Sequence, residues 1–88
     1  MAGRIDDFLG YIATRVRAVR QARGLTQEEF AELGPFDARF LRDVEGGKKD
    51  ISVGTLVRLA NALGVTPASL LRPTKLVKPK PGRPKKRP

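Results

Sequence analysis

An all-α fold of five short helices, followed by a basic, proline-rich tail, is predicted by three features of the sequence. Apolar residues recur at three- and four-residue steps between residues 5 and 71, the spacing that lines one face of a helix. A pattern of an apolar residue, a capping residue and a second apolar residue five positions after the first occurs four times. No segment alternates β-branched and polar residues as a half-buried strand would. The helices expected from these signals cover roughly residues 5–23, 27–33, 38–45, 53–63 and 67–71.

The first helix rests on Ile5, Phe8, Leu9, Ile12, Val16 and Val19, which share one face. Gly24 is free to take the left-handed conformation that ends it, and Arg20 and Arg23 place positive charge at the negative end of its dipole. Thr26 then caps a second helix while Glu29 reaches back to the cap amide, with Leu25 and Phe30 forming a hydrophobic staple. The same arrangement returns as Phe36-Asp37 with Leu41, Ile51-Ser52 with Leu56, and Val65-Thr66 with Leu70, and Pro67 occupies a first helical position where its missing amide costs little. After Leu71 the periodicity stops. Lys78-Pro79-Lys80-Pro81-Gly82-Arg83-Pro84 interleaves cations with residues that forbid helix, so the chain divides into a helical domain, 1–73, and a tail, 74–88, expected to be extended and disordered.

Composition removes several classes of function. Eighty-eight residues make one small domain, too small for a deep catalytic cleft. The chain contains neither cysteine nor histidine, so disulfides, thiolate metal sites and the commonest general base are excluded, and no enzyme activity, metal or cofactor is expected. No carboxylate pair with a positioned base suggests hydrolysis. No apolar run reaches the roughly 20 residues of a membrane span, and the acids at Asp6 and Asp7 break a signal-peptide pattern, which predicts a soluble cytoplasmic protein with no membrane partner. The net charge is +9, but seven of the eighteen cations fall in residues 75–88 with no acid among them. The excess of charge is therefore mainly a property of the tail, and points there to a polyanion or to simple solvation.

The second and third helices are about two turns each, separated by the few residues around Gly34, Pro35 and Phe36, which is the dimension of a DNA-reading helix-turn-helix. The runs Arg20-Gln21-Ala22-Arg23-Gly24-Leu25-Thr26-Gln27-Glu28-Glu29-Phe30-Ala31-Glu32, Val44-Glu45-Gly46-Gly47-Lys48 and Leu59-Ala60-Asn61-Ala62-Leu63-Gly64-Val65 resemble the phage-repressor (Cro-type) helix-turn-helix family across about residues 9–71. The resemblance implies a pairing of Arg20 with Glu45 that locks the first and third helices together, and a grip on a DNA backbone phosphate by Gln27. The alternative for Gln27 is a surface residue of good helix propensity.

In such a unit the exposed start of the third helix enters the major groove, which places Ala38, Arg39, Arg42 and Asp43 at base edges, beside the capping Asp37, while Phe40, Leu41 and Val44 face the core. Arg39 and Arg42 each offer a bidentate pair to guanine, or a phosphate contact alone; Asp43 accepts from cytosine or orients Arg39; Lys48 and Lys49 fall to phosphates. The family's turn glycine aligns with Pro35, whose φ is fixed negative, so Gly34 is expected to supply the left-handed residue and helix 2 to stop early. In the tail, Pro81-Gly82-Arg83-Pro84-Lys85-Lys86 partly resembles an AT-hook, with proline where that motif has its first arginine. Lys80, Arg83, Lys85 and Lys86 are thus expected on DNA, in a narrow minor groove or on phosphates alone. The function expected is a sequence-specific regulator of transcription bound to double-stranded DNA as a homodimer, with Leu70, Leu71, Leu76 and Val77 as dimer candidates. The alternative is an antitoxin or other module whose helical domain binds a protein partner, such as a toxin.

Overall fold

The computed structural model describes residues 4–75, and the tail cations Lys80, Arg83, Lys85 and Lys86 lie outside them. The described residues form α1 (Ile5–Ala22), α2 (Gln27–Ala31), α3 (Ala38–Glu45), α4 (Val53–Leu63) and α5 (Pro67–Leu71), and contain no strand. None of these helices is long and apolar enough to cross a membrane.

Four of the five helices begin where a side chain caps them. The Glu29 amide donates to Thr26 Oγ1 at 3.0 Å while the Thr26 amide donates to Glu29 Oε1 at 2.9 Å, a reciprocal capping box. The Phe40 amide donates to Asp37 Oδ1 at 2.7 Å, the Thr55 amide to Ser52 Oγ at 3.1 Å and the Ser69 amide to Thr66 Oγ1 at 3.2 Å. Each such cap contributes about 1 kcal/mol. The staples close as well: Phe30, Leu41, Leu56 and Leu70 are buried, and Leu25, Phe36, Ile51 and Val65 pack half-buried against them. The first helix has no side-chain cap at Arg4, and the acids Asp6 and Asp7 in its first turn face the positive end of its dipole instead.

Helices of five to eleven residues are too short to persist alone, so tertiary packing holds them. The longest, α1, is the central member: it packs on α3, α4 and α5, while α2 packs on α3 and α4 on α5. Val16, Phe30, Leu41, Leu59, Leu63 and Leu70 are completely enclosed at the centre. Gly24, at φ 70°, ends α1 with Gly24 N–H on the Gln21 carbonyl (2.9 Å) and Leu25 N–H on the Arg20 carbonyl (3.2 Å), the paired bonds of a left-handed helix stop.

Two expectations need correction. Gly34 is not left-handed: among the described residues positive φ occurs at Gly24, Gly47 and Gly64. After α2 the chain instead continues through a tight turn, with Leu33 N–H on the Phe30 carbonyl at 2.9 Å and Gly34 N–H on the Ala31 carbonyl at 3.4 Å, so α2 ends at Ala31 rather than near residue 33. Space favours glycine at 34, since a Cβ there would lie 2.6 Å from Cε2 of Phe36 and the ring would have to shift. Ile5 shares the apolar face of α1 but remains 67% exposed, because that end of the helix extends past the enclosed core.

Candidate nucleic-acid interface

The third helix presents two unlike faces. Leu41, Val44 and Glu45 are buried and Phe40 is half-buried, while Arg39, Arg42 and Asp43 are exposed and Ala38 is partly so. Positions 39, 42 and 43 are three and four residues apart and therefore stand together on the helix surface. Among the described residues the side chains of Arg39, Arg42, Asp43, Lys48 and Lys49 enter no ion pair, so Asp43 does not hold Arg39 in the free chain. Lys48 and Lys49 follow directly after Gly46 and Gly47 and are exposed on the loop leading to α4. Gly47 is left-handed at φ 76°, and a Cβ there would meet Ala13 Cβ at 3.8 Å and Gly10 Cα at 3.9 Å, so small residues on α1 let the end of α3 lie against it.

The buried end of that helix is organised around one carboxylate. Arg20 Nε donates to Glu45 Oε2 at 2.6 Å and Arg20 Nη2 to Glu45 Oε1 at 2.8 Å, a two-pronged pair with side chains 12% and 4% exposed. The remaining prong of Arg20, Nη1, donates to the Leu25 carbonyl at 2.7 Å, which ties the α1–α2 turn to the same point. Gln27 Nε2 donates to Glu45 Oε1 at 3.2 Å, adding the first residue of α2. The guanidinium of Arg17 donates through Nη2 to the Glu45 main-chain carbonyl at 2.5 Å, and its Nε lies 3.9 Å from Glu45 Oε1. An acid in the last turn of a helix opposes the helix dipole, and two guanidiniums at this end reverse that penalty. The hydrogen bond to Glu45 outweighs burial at Arg20 and holds its guanidinium protonated more firmly than usual.

The expected Arg20 and Glu45 are thus brought together, and Gln27, expected at a phosphate, is joined to them. Its amide is half-buried beside the carboxylate and has a second N–H to offer outward. Asp37 sits at the mouth of the turn, its carboxylate occupied with the Phe40 amide. Beside it, a crevice of about 480 Å³ between the start of α3 and α4 is lined by Pro35, Phe36, Asp37, Phe40, Thr55 and Arg58. Sequence reasoning missed Arg17 and Arg58. The first was detectable as one helical turn before Arg20, hence on the same face of α1; nothing in the local pattern distinguishes the second. Among the described residues no group of three or more His, Cys, Asp or Glu side chains converges as a metal site would require.

This order of helices, with a two-helix reading unit braced by an arginine–glutamate pair, coincides with a family match over residues 16–70. The chain belongs to the HTH_3 helix-turn-helix family. It is similar to the uncharacterized HTH-type transcriptional regulator y4dJ of Sinorhizobium fredii, with 35% identity over 68 residues that span 77% of this chain and 88% of that one. Among solved structures it resembles the hypothetical transcription factor NHTF from Neisseria, with TM-score 0.72 and 29% identity over 83% of this chain and 84% of the other. It also resembles the restriction-modification controller protein C.AhdI from Aeromonas hydrophila, with TM-score 0.65 and 35% identity over 70% and 94% of the two chains. The HTH_3 match contains α2, α3, α4 and the Arg20–Glu45 pair entire, and leaves out the first two-thirds of α1 and everything after Leu70.

Proposed function

We propose that this HTH_3 protein is a transcriptional regulator that binds double-stranded DNA in a sequence-specific way and acts by binding rather than catalysis. The observation that carries the reading is the contrast along α3: a rear face fixed by Leu41, Val44 and the braced Glu45, and an outward face whose Arg39 and Arg42 have no partner within the described residues. Such a helix placed in a major groove presents both guanidiniums to base edges without reorganising its support, and each bidentate pair with guanine contributes roughly 1 to 3 kcal/mol of discrimination.

Around this head the remaining cations and donors position the duplex. Gln27, at the first position of α2, uses its free amide N–H on a phosphate while Glu45 fixes its orientation; Lys48 and Lys49 neutralise phosphates on the far side of α3. Asp37, Ala38 and Asp43 border the base edges, Ala38 as a methyl contact to thymine and Asp43 as an acceptor for cytosine. The tail, through Lys80, Arg83, Lys85 and Lys86, adds electrostatic affinity or a minor-groove contact. One short helix reads few base pairs, so two copies joined about a two-fold axis read paired half-sites. Leu70 is fully enclosed in the monomer core, which leaves the partly exposed Leu71 as the apolar side chain of α5 open to a second copy.

Selection from a randomised duplex library tests the proposal. An enriched motif with two-fold symmetry is expected; recovery of no motif at physiological salt would refute sequence-specific reading and favour a protein-binding module.

A further inference from the structure

The first turns of α1, the loop into α4 and the last residue of α5 surround an apolar groove that is half inside the HTH_3 match and half outside it. Its apolar lining includes Ile5, Phe8 and Leu9 from α1, Val53 and Leu56 from α4, and Leu71 from α5. Of the five large hydrophobic side chains exposed among the described residues, three gather here: Ile5 at 67%, Val53 at 76% and Leu71 at 37%. Apolar exposure concentrated in this way marks a surface that something covers. The cavity, about 250 Å³, is below the range of drug-sized ligand pockets. A second copy of the chain would need roughly 800 Å² of matching surface per partner, whereas this slot admits a pair of side chains.

We propose that the groove holds the chain's own Leu76 and Val77. They are the only apolar residues other than proline between Leu71 and residue 88. Leu71 itself is a wall of the groove, and Arg72 leaves the helix with an extended backbone, φ −70° and ψ 133°. Leu76 is five residues farther on and reaches up to roughly 17 Å from Leu71, enough to turn back over a groove that begins at that residue. The charges match as well. Asp50 lines the rim and Asp6 and Asp7 occupy the first turn of α1 beside Ile5 and Phe8, while the apolar pair is flanked by Lys75 and Lys78. The one ion pair described for these acids, Arg4 to Asp6, is 4.0 Å long between side chains more than four-fifths exposed, and does not compete strongly.

Seated there, the segment acts as an anchor. Asp50–Val53 follows Lys48 and Lys49 directly, so a docked Leu76–Val77 starts the basic tail beside the loop assigned to phosphates and raises its effective concentration there. That consequence rests on the DNA-binding reading; the docking does not, and its test needs no DNA.

The chain has no cysteine, so an introduced pair reports proximity without background. In the full-length chain, Val53→Cys with Val77→Cys should close an intramolecular disulfide at least about tenfold faster than Leu33→Cys with Val77→Cys, Leu33 being exposed on the turn after α2. Monomer and dimer are separated on non-reducing gels, and circular dichroism confirms that both variants remain helical. Adding Leu76→Asp to the first pair should abolish the advantage. Equal rates for the two pairs, an advantage that survives Leu76→Asp, or a disulfide between chains whose yield rises with protein concentration would each overturn the proposal, the last by placing a second copy in the groove.

Discussion

Replacing Glu45 by alanine removes the carboxylate on which three segments converge, and its cost follows from the contacts it makes. Arg20 loses both bonds to the carboxylate and keeps only the Leu25 carbonyl, with its side chain 12% exposed and little room to rehydrate. Breaking a buried pair from one side typically costs about 3 to 5 kcal/mol. The whole fold has roughly 4 to 11 kcal/mol to lose, at about 0.05 to 0.15 kcal/mol per described residue. A fall in Tm of about 12 to 40 °C is therefore expected, at roughly 4 to 8 °C per kcal/mol for a domain of this size. Arg20→Ala should fall toward the lower end of the same range, because Glu45 keeps Gln27 and the nearby Arg17. The double variant should cost less than the two singles together, by at least about 1 kcal/mol. Arg17 behaves differently, since its short bond is to the Glu45 main-chain carbonyl and survives truncation of the side chain; Arg17→Ala and Glu45→Ala should couple only through their longer ion pair at 3.9 Å, and so less than Arg20→Ala and Glu45→Ala. Urea and thermal unfolding followed by circular dichroism measure all of these. Additivity of Arg20→Ala and Glu45→Ala within about 0.5 kcal/mol, or a Glu45→Ala no worse than the exposed control Glu32→Ala, would refute the brace.

Arg39→Ala and Arg42→Ala should each weaken binding to the selected operator by roughly 1 to 3 kcal/mol and relax one base position, whereas Lys48→Ala should weaken all duplexes alike; fluorescence anisotropy on operator and scrambled duplexes distinguishes the two outcomes. Gly34→Ala should destabilise by about 1 to 3 kcal/mol, because its Cβ would displace the Phe36 ring, while Gly24→Ala, with nothing within 4 Å, should cost only the roughly 1 to 2 kcal/mol of a left-handed backbone; denaturant titration ranks them. Deleting residues 78–88 should make the slope of log affinity against log salt shallower by roughly 3.6 if about four of its cations meet phosphate, with the base preference of α3 unchanged, as measured by salt-dependent titration.

The fold was legible because its signals are local. A capping side chain, an apolar residue before it and another four after it lie within six residues of one another, so the start of every helix from α2 to α5 could be located from sequence alone. Ends were harder where no such code operates. After Ala31 the chain passes into a turn held by Leu33 N–H on the Phe30 carbonyl and Gly34 N–H on the Ala31 carbonyl, with no left-handed glycine to mark the stop. Ile5 follows the periodicity of α1, yet periodicity says which face a residue occupies and not whether the neighbouring elements extend far enough to cover it. The outward set on α3 is fixed by spacing once Leu41 and Val44 are known to be inside. The face of Arg17 was legible from its place one turn before Arg20, but its partner was not, because that partner is the main-chain carbonyl of a residue 28 positions away.

Pro35 replaces the family's turn glycine just before α3, and the structure supplies a reason why it does not decide the direction of that helix. On the near side of α3, Phe36 is held between Phe30, with ring centroids 6.0 Å apart, and Phe40, stacked at 5.8 Å with planes 9° apart, and Asp37 caps the first turn at 2.7 Å. At the far end Glu45 is fixed to α1 by Arg20 and by Arg17. A helix of eight residues pinned at both ends has its direction set by those two anchors and by the core between them, Leu41 and Val44, rather than by the backbone angles of the turn that leads to it. The irregular turn is then free to accept a Gly34 that is not left-handed and a proline without carrying Arg39 and Arg42 off the outward face.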